Sequence, residues 1–164
     1  MAQGDYAFDR NDFGYLLIRK AYPERTDGES AVIRAYLLAH LNEFDSIVFG
    51  KRVGQGKPPD PTHLPSIQKQ TTINTQKRID ILAMRGRQPV IVEVKQSVTP
   101  AALGQILTYR HHYLEDTPDA PEPELVVVGR TSDADTLAAL NAHGVTVILY
   151  PDAIAPRNAA GGGV

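Results

Sequence analysis

The chain has no cysteine. That excludes a disulfide framework, a thiolate zinc site and a cysteine nucleophile. It also lacks any apolar run near the ~20 residues that a membrane-spanning helix needs, so no membrane partner is expected. The first twelve residues are polar and acidic, which is not the pattern of a signal peptide. There is no internal repeat. Low complexity is confined to the terminal Ala159-Ala160-Gly161-Gly162-Gly163-Val164. What is present is ordinary globular material: 164 residues, 42% hydrophobic and 22% charged. A chain of that size can bury a core without staples. We expect one soluble domain of a reducing compartment, the cytoplasm.

The net charge of −2 hides an uneven distribution. Residues 1–50 carry five Lys/Arg against eight Asp/Glu, and residues 96–164 carry three against eight. Residues 51–95 carry nine against three, a block of +6. A basic middle between acidic flanks suits a polyanion such as nucleic acid. On charge alone, a solvated lysine-rich loop and hairpin is the favoured reading.

Hydrophobic spacing gives the elements. Residues 1–25 are ambiguous, and Tyr15-Leu16-Leu17-Ile18 suits a short strand or a helical turn. Val32, Ile33, Tyr36, Leu37, Leu41 and Phe44 form a stripe that predicts a helix over 29–43, capped by Thr26 or Asp27. Ser46–Phe49 reads as a strand. Residues 54–72, rich in Gly and Pro, read as one long loop, a length usually tied to function. Lys77–Met84 and Pro89–Lys95 read as a hairpin turning at Gly86-Arg87. A helix follows, with Thr99 as cap and Pro100 at its first position, and Glu115–Glu124 is a loop. Leu125–Val128 is a strand, 132–143 a helix opened by Ser132, and 145–150 a last strand. Strand-helix-strand order at the end implies parallel neighbours, and the hairpin implies an antiparallel pair. The expected fold is α/β, a mixed central sheet flanked by helices.

Several motifs fail. Gly54-Gln55-Gly56-Lys57 lacks the earlier glycine of a phosphate loop, and Pro58 follows the lysine where Ser or Thr is required. His111 and His112 are adjacent, so a helix aims them apart and they make a poor metal pair. The hairpin is richer. With Gly86-Arg87 at its tip, Asp80 falls opposite Glu93, and Lys95 shares the face of Glu93. Adjacent carboxylates repel, and a divalent cation relieves the repulsion. Oxygen ligands favour Mg²⁺, which polarises phosphoryl oxygens and acidifies an attacking water. Lys95 could stabilise the developing charge. A Glu93–Lys95 surface pair beside a solvated Asp80 is the bland alternative.

These residues carry a resemblance. Ile79-Asp80 followed by Glu93-Val94-Lys95 resembles the signature of the PD-(D/E)XK nuclease superfamily. Gln105-Ile106-Leu107-Thr108-Tyr109 resembles the Gln-x-x-x-Tyr motif of its RecB-like branch, and Gly28-Glu29 resembles that branch's helix glutamate. Residues 77–150 look most like the nuclease domain of the NucS/EndoMS endonucleases.

The resemblance implies a restriction-endonuclease-like α-β-β-β-α-β core with an added C-terminal α-β unit. It implies Asp80, Glu93, the Val94 carbonyl and Glu29 as holders of Mg²⁺, or Mn²⁺ in its place. Lys95 would be the catalytic lysine, with Gln105 and Tyr109 supporting it or the scissile phosphate. Glu43 is a weaker alternative to Glu29. Residues 1–26 form an N-terminal extension, too short for the additional DNA-binding and dimerisation domain of NucS-type proteins. Residues 27–150 form the nuclease-like domain and 151–164 a flexible tail. Recognition is therefore not carried over, and a homodimer stays open.

The expected activity is metal-dependent hydrolysis of DNA phosphodiester bonds. The alternatives are an RNA-directed nuclease and an inactive nucleic-acid-binding or assembly module. Lys51, Arg52, Lys57, Lys69, Lys77 and Arg78, with Arg85 and Arg87, are expected to lie beside the site. Four to six engaged cations would give a salt slope of roughly −4 to −5.

Overall fold

The computed structural model describes residues 6–155. A six-stranded sheet in the order β1-β2-β3-β4-β5-β6 forms the middle layer. Its strands are β1 Tyr6–Asp9, β2 Ser46–Val53, β3 Lys77–Arg85, β4 Gln88–Val94, β5 Glu124–Gly129 and β6 Val145–Leu149. The first four strands pair antiparallel, and β4–β5 and β5–β6 pair parallel. Helices α1 Phe13–Ile18 and α2 Asp27–His40 precede β2, and α3 Pro65–Thr75 precedes β3. Helices α4 Ala101–Asp116 and α5 Ala134–Ala142 form the two crossovers between parallel strands. The expected mixed sheet flanked by helices is what the chain forms.

Two apolar clusters cover the sheet faces. Leu16, Val32, Ile33, Tyr36 and Leu37 of α1 and α2 pack on Phe49, Ile81, Val92 and Val128. Ile106, Tyr109 and Tyr113 of α4 and Leu140 of α5 pack on Leu82, Ile91 and Val127. β5 contributes to both, which is why it reads as an unbroken apolar run.

Several boundaries differ from expectation. Helix α2 begins at Asp27, because Thr26 and not Asp27 is the cap: its Oγ accepts from Glu29 N–H at 3.2 Å. The long loop is only 54–64, since Pro65 opens α3. That helix buries no residue, so it carries no apolar stripe from which to be read. Helix α4 has no side-chain cap, although Thr99 had been expected in that role. Helix α5 is capped by Asp133, which accepts from Thr136 N–H at 2.8 Å, and not by Ser132.

The N-terminal segment is part of this sheet and core from Tyr6 onward. β1 is an edge strand on β2, Tyr15–Ile18 is helical, and Phe13, Leu16 and Tyr22 are buried. At the other end Ala153 packs against the same core. The rest of the expected tail, 156–164, lies outside the described residues.

The hairpin has the expected register, from Arg85 opposite Gln88 to Ile81 opposite Val92. One irregularity positions the site. The β2–β3 ladder pairs Phe49 with Ile81 and Lys51 with Ile79, passing over Gly50 and Asp80. On one side of that step Phe49 and Ile81 join the α2 cluster. Beyond it Val53 and Ile79 join the α4 cluster. Both strands change faces where Gly50 adopts φ +69, a left-handed conformation that β-carbon-bearing residues rarely take.

Candidate metal and nuclease site

Asp80 stands at this step, where β3 stops following β4. Its carboxylate does not go to solvent. Oδ2 accepts from the Val94 backbone N–H at 2.8 Å, so a side chain replaces a ladder hydrogen bond at the end of β4. Oδ1 pairs with Arg25 Nη2 at 2.6 Å. Asp80 is 5% exposed and Glu93 is 1% exposed. Glu93 Oε1 pairs with Lys95 Nζ at 2.7 Å, as residues two apart on one strand face can. Among the described residues, buried Glu93 Oε2 has no hydrogen-bond partner.

The electrostatics are unbalanced. Burial, and then the neighbouring charge of Asp80, push the Glu93 carboxyl up to about 8, against the opposing pull of Lys95. Buried Tyr109 lies beside the same pair. Its pKa is raised by burial and then by Glu93 and Asp80, so it stays protonated as a donor. Gln105, one turn earlier on α4, lines an open cleft of about 370 Å³ with Tyr109, Thr108 and Lys77. Asp80, Glu93, Lys95 and Tyr109 are thus one cluster, with Gln105 at the cleft beside it.

Glu29 is turned to its own helix. Its Oε2 accepts from Thr26 N–H and Thr26 Oγ–H, both at 3.0 Å. Gln96, just past Lys95, donates to Thr26 Oγ at 3.3 Å, and this ties the start of α2 to the end of β4. Glu43 is excluded as an alternative. It binds His40 at 2.8 Å and Arg85 at 2.9 Å, at the opposite end of the hairpin.

The basic block divides. Lys77 lines the α4 cleft, and Lys57 and Lys69 are exposed. Lys51 is half-buried, on β2 opposite Ile79. Arg52 binds the Ile73 carbonyl and holds α3, while Arg78 pairs with Glu24 ahead of α2. Arg85 and Arg87 sit at the hairpin turn, on the far side from Asp80, and are not beside the site as expected. Lys77 and Arg78 are consecutive on β3, so they take opposite faces of the sheet.

Arg25 and Gln96 escaped the sequence reading. Arg25 lies in an irregular segment with no period to exploit. The contact it makes is 55 residues away in the chain, so its only local signal was a cation just before a helix cap.

No protein-family model matches the chain, and no curated protein matches it. Among solved structures it is similar to AF1548, a protein of unknown function, at 12% identity and a TM-score of 0.40. That match covers 73% of this chain and 56% of that one, so this chain spans just over half of the other's length.

Proposed function

We propose that the protein is a Mg²⁺-dependent nuclease acting on DNA phosphodiester bonds. The observation that carries this reading is the buried Asp80–Glu93 pair with an orphaned Glu93 oxygen and Lys95 on the same face. Arg25 pairs with Asp80 and Lys95 with Glu93, which leaves the buried Glu93 Oε2 as the acceptor that no protein donor satisfies. An all-oxygen donor set suits a hard cation, so Asp80, Glu93 and the Val94 carbonyl fit Mg²⁺ or Mn²⁺. Glu29 could join only through the oxygen that does not serve Thr26. Such a cation, when bound, supplies a Lewis acid for the phosphoryl oxygen and acidifies water.

The protein's own groups do the rest. Lys95 faces the reacting phosphate with a positive charge held in place by Glu93, where it stabilises charge developing on the phosphoryl oxygens. Tyr109 keeps its proton and does not act as a base. Gln105 and Lys77 line the cleft through which the strand approaches, with Lys77 as a phosphate contact.

One observation favours a second reading, a non-catalytic nucleic-acid-binding module. Arg25 already neutralises Asp80 and Lys95 neutralises Glu93, so the charges close without an ion. Calorimetric titration of Mg²⁺ and Mn²⁺ into wild type and Asp80→Ala separates the two readings. So does a cleavage panel of single-stranded, duplex, flapped and mismatched DNA, with an RNA arm. Metal binding lost in Asp80→Ala, together with metal-dependent cleavage, supports the nuclease. Nucleic-acid binding with no metal uptake at millimolar concentration supports the module.

A further inference from the structure

Adjacent histidines on a helix are a poor metal pair by themselves, but α4 supplies a third group that both reach. Glu115 lies four residues after His111 and three after His112. Its Oε2 is 3.4 Å from His111 Nε2 and 3.1 Å from His112 Nδ1. The three ligand atoms all lie within 4.8 Å of one another. Ligand atoms held about 2.0–2.1 Å from a tetrahedral Zn²⁺ lie roughly 3.3–3.4 Å from one another. One edge therefore already has the required length and a second is a few tenths of an ångström short of it, and the imidazoles lie within reach of the third.

The site is braced from the other side. The backbone of Gly54 packs on the His112 ring: a β-carbon there would sit 3.0 Å from its Cγ and 3.1 Å from Nδ1. Gly54 N–H donates to Asp116 Oδ2 at 2.8 Å, which pins the loop to the end of α4. Between loop and helix lies a cleft of about 350 Å³, with His112 and Glu115 on one wall and Lys57, Thr75 and Lys77 on others. Beyond the three protein ligands there is room for a water or an anionic oxygen group.

We propose that His111, His112 and Glu115 form a second metal site, selective for a borderline divalent transition ion of the Zn²⁺ class. Imidazole nitrogens select such ions over Mg²⁺, so the site differs in chemistry from the all-oxygen Asp80–Glu93 pair. It does not depend on the nuclease reading.

The test uses the full, tag-free chain titrated with Zn²⁺ by calorimetry, and with Co²⁺ by visible absorption. Wild type should take up one Zn²⁺ at micromolar concentration in excess Mg²⁺ and give a Co²⁺ d–d band. The His111→Ala/His112→Ala variant and Glu115→Gln should each lose at least tenfold in affinity, with the band gone or shifted. These side chains are exposed or half-exposed, so melting curves should stay unchanged. Asp80→Ala/Glu93→Gln should keep the Zn²⁺ site. Absence of saturable uptake by wild type would overturn the proposal. So would unchanged affinity in the histidine variant, or loss of the site in the Asp80/Glu93 variant.

Discussion

The two ends of the β3–β4 hairpin carry the same kinds of residue and treat them in opposite ways. At the turn, Arg85 lies between Glu43 at 2.9 Å and Glu124 at 3.1 Å, and all three are over 40% exposed. Asp45 accepts from Gly86 N–H at 2.6 Å and pairs with Arg10 at 2.8 Å. Two carboxyls there are held below their usual range, Glu43 chiefly by its hydrogen bond to His40 and Asp45 by the Gly86 N–H. At the open end, Glu93 is pushed the other way by burial and by Asp80. Solvent and donors stabilise ionised carboxylates at the turn. At the open end two acids share a dry space with too few donors. Perturbation of that kind is concentrated at functional sites.

The sharpest way to test the contrast is to remove charge from each end. Glu93→Gln and Lys95→Ala should each lower DNA cleavage a hundredfold or more, the scale of losing a preorganised electrostatic contact. Near neutral pH Glu93→Gln should melt no lower than wild type without metal, since it replaces a carboxyl that the fold already holds neutral. A variant that unfolds yet keeps full specific activity in its folded fraction would make the pair structural. Next in size is Arg25→Ala, which leaves Asp80 buried with one partner fewer. We expect about 3 kcal/mol of destabilisation without metal, and a larger rise in melting temperature on adding Mg²⁺ than in wild type. An equal Mg²⁺ shift in both proteins would show that Arg25 and the cation do not compete for Asp80.

Protonation sharpens the comparison further. The folded Glu93 holds its proton up to about 8, while the unfolded chain releases it near 4.5. Between those values the native state binds more protons, so metal-free stability should fall as pH rises through this window. Denaturant melts across it should show that slope in wild type and a flatter one in Glu93→Gln. Glu43 and Asp45 at the turn are shifted down and contribute the opposite trend, confined to lower pH.

Salt dependence is a smaller effect. With Arg52 and Arg78 occupied inside the protein, Lys57, Lys69 and Lys77 remain as exposed contacts, for a slope nearer −3 than −5. A slope of −5 would return Arg52 and Arg78 to the nucleic-acid surface. Smallest is Arg85→Ala, which should change stability by about 1 kcal/mol or less and leave cleavage unchanged. Loss of cleavage in Arg85→Ala would extend the site along the hairpin.

Much of this was legible from residue order. Period-2 and period-3.6 spacing locates five of the six strands and the helices α2, α4 and α5, because each buries a face against the sheet. The turn residues Gly86-Arg87 specify the register that brings Asp80 toward Glu93. The pairing of Glu93 with Lys95 follows from two-residue spacing alone. Elements without a buried stripe were not readable: β1 is a short edge strand, and α3 buries nothing.

What the tertiary structure decided is how charges are compensated, since that depends on contacts far apart in the chain. Only folding brings Arg25 onto Asp80, takes Arg52 and Arg78 out of the basic block, and turns Glu29 back to Thr26. Only folding buries Glu93 deeply enough to hold its proton. Local spacing fixes which face a side chain takes, but solvation and charge are summed over everything packed around it.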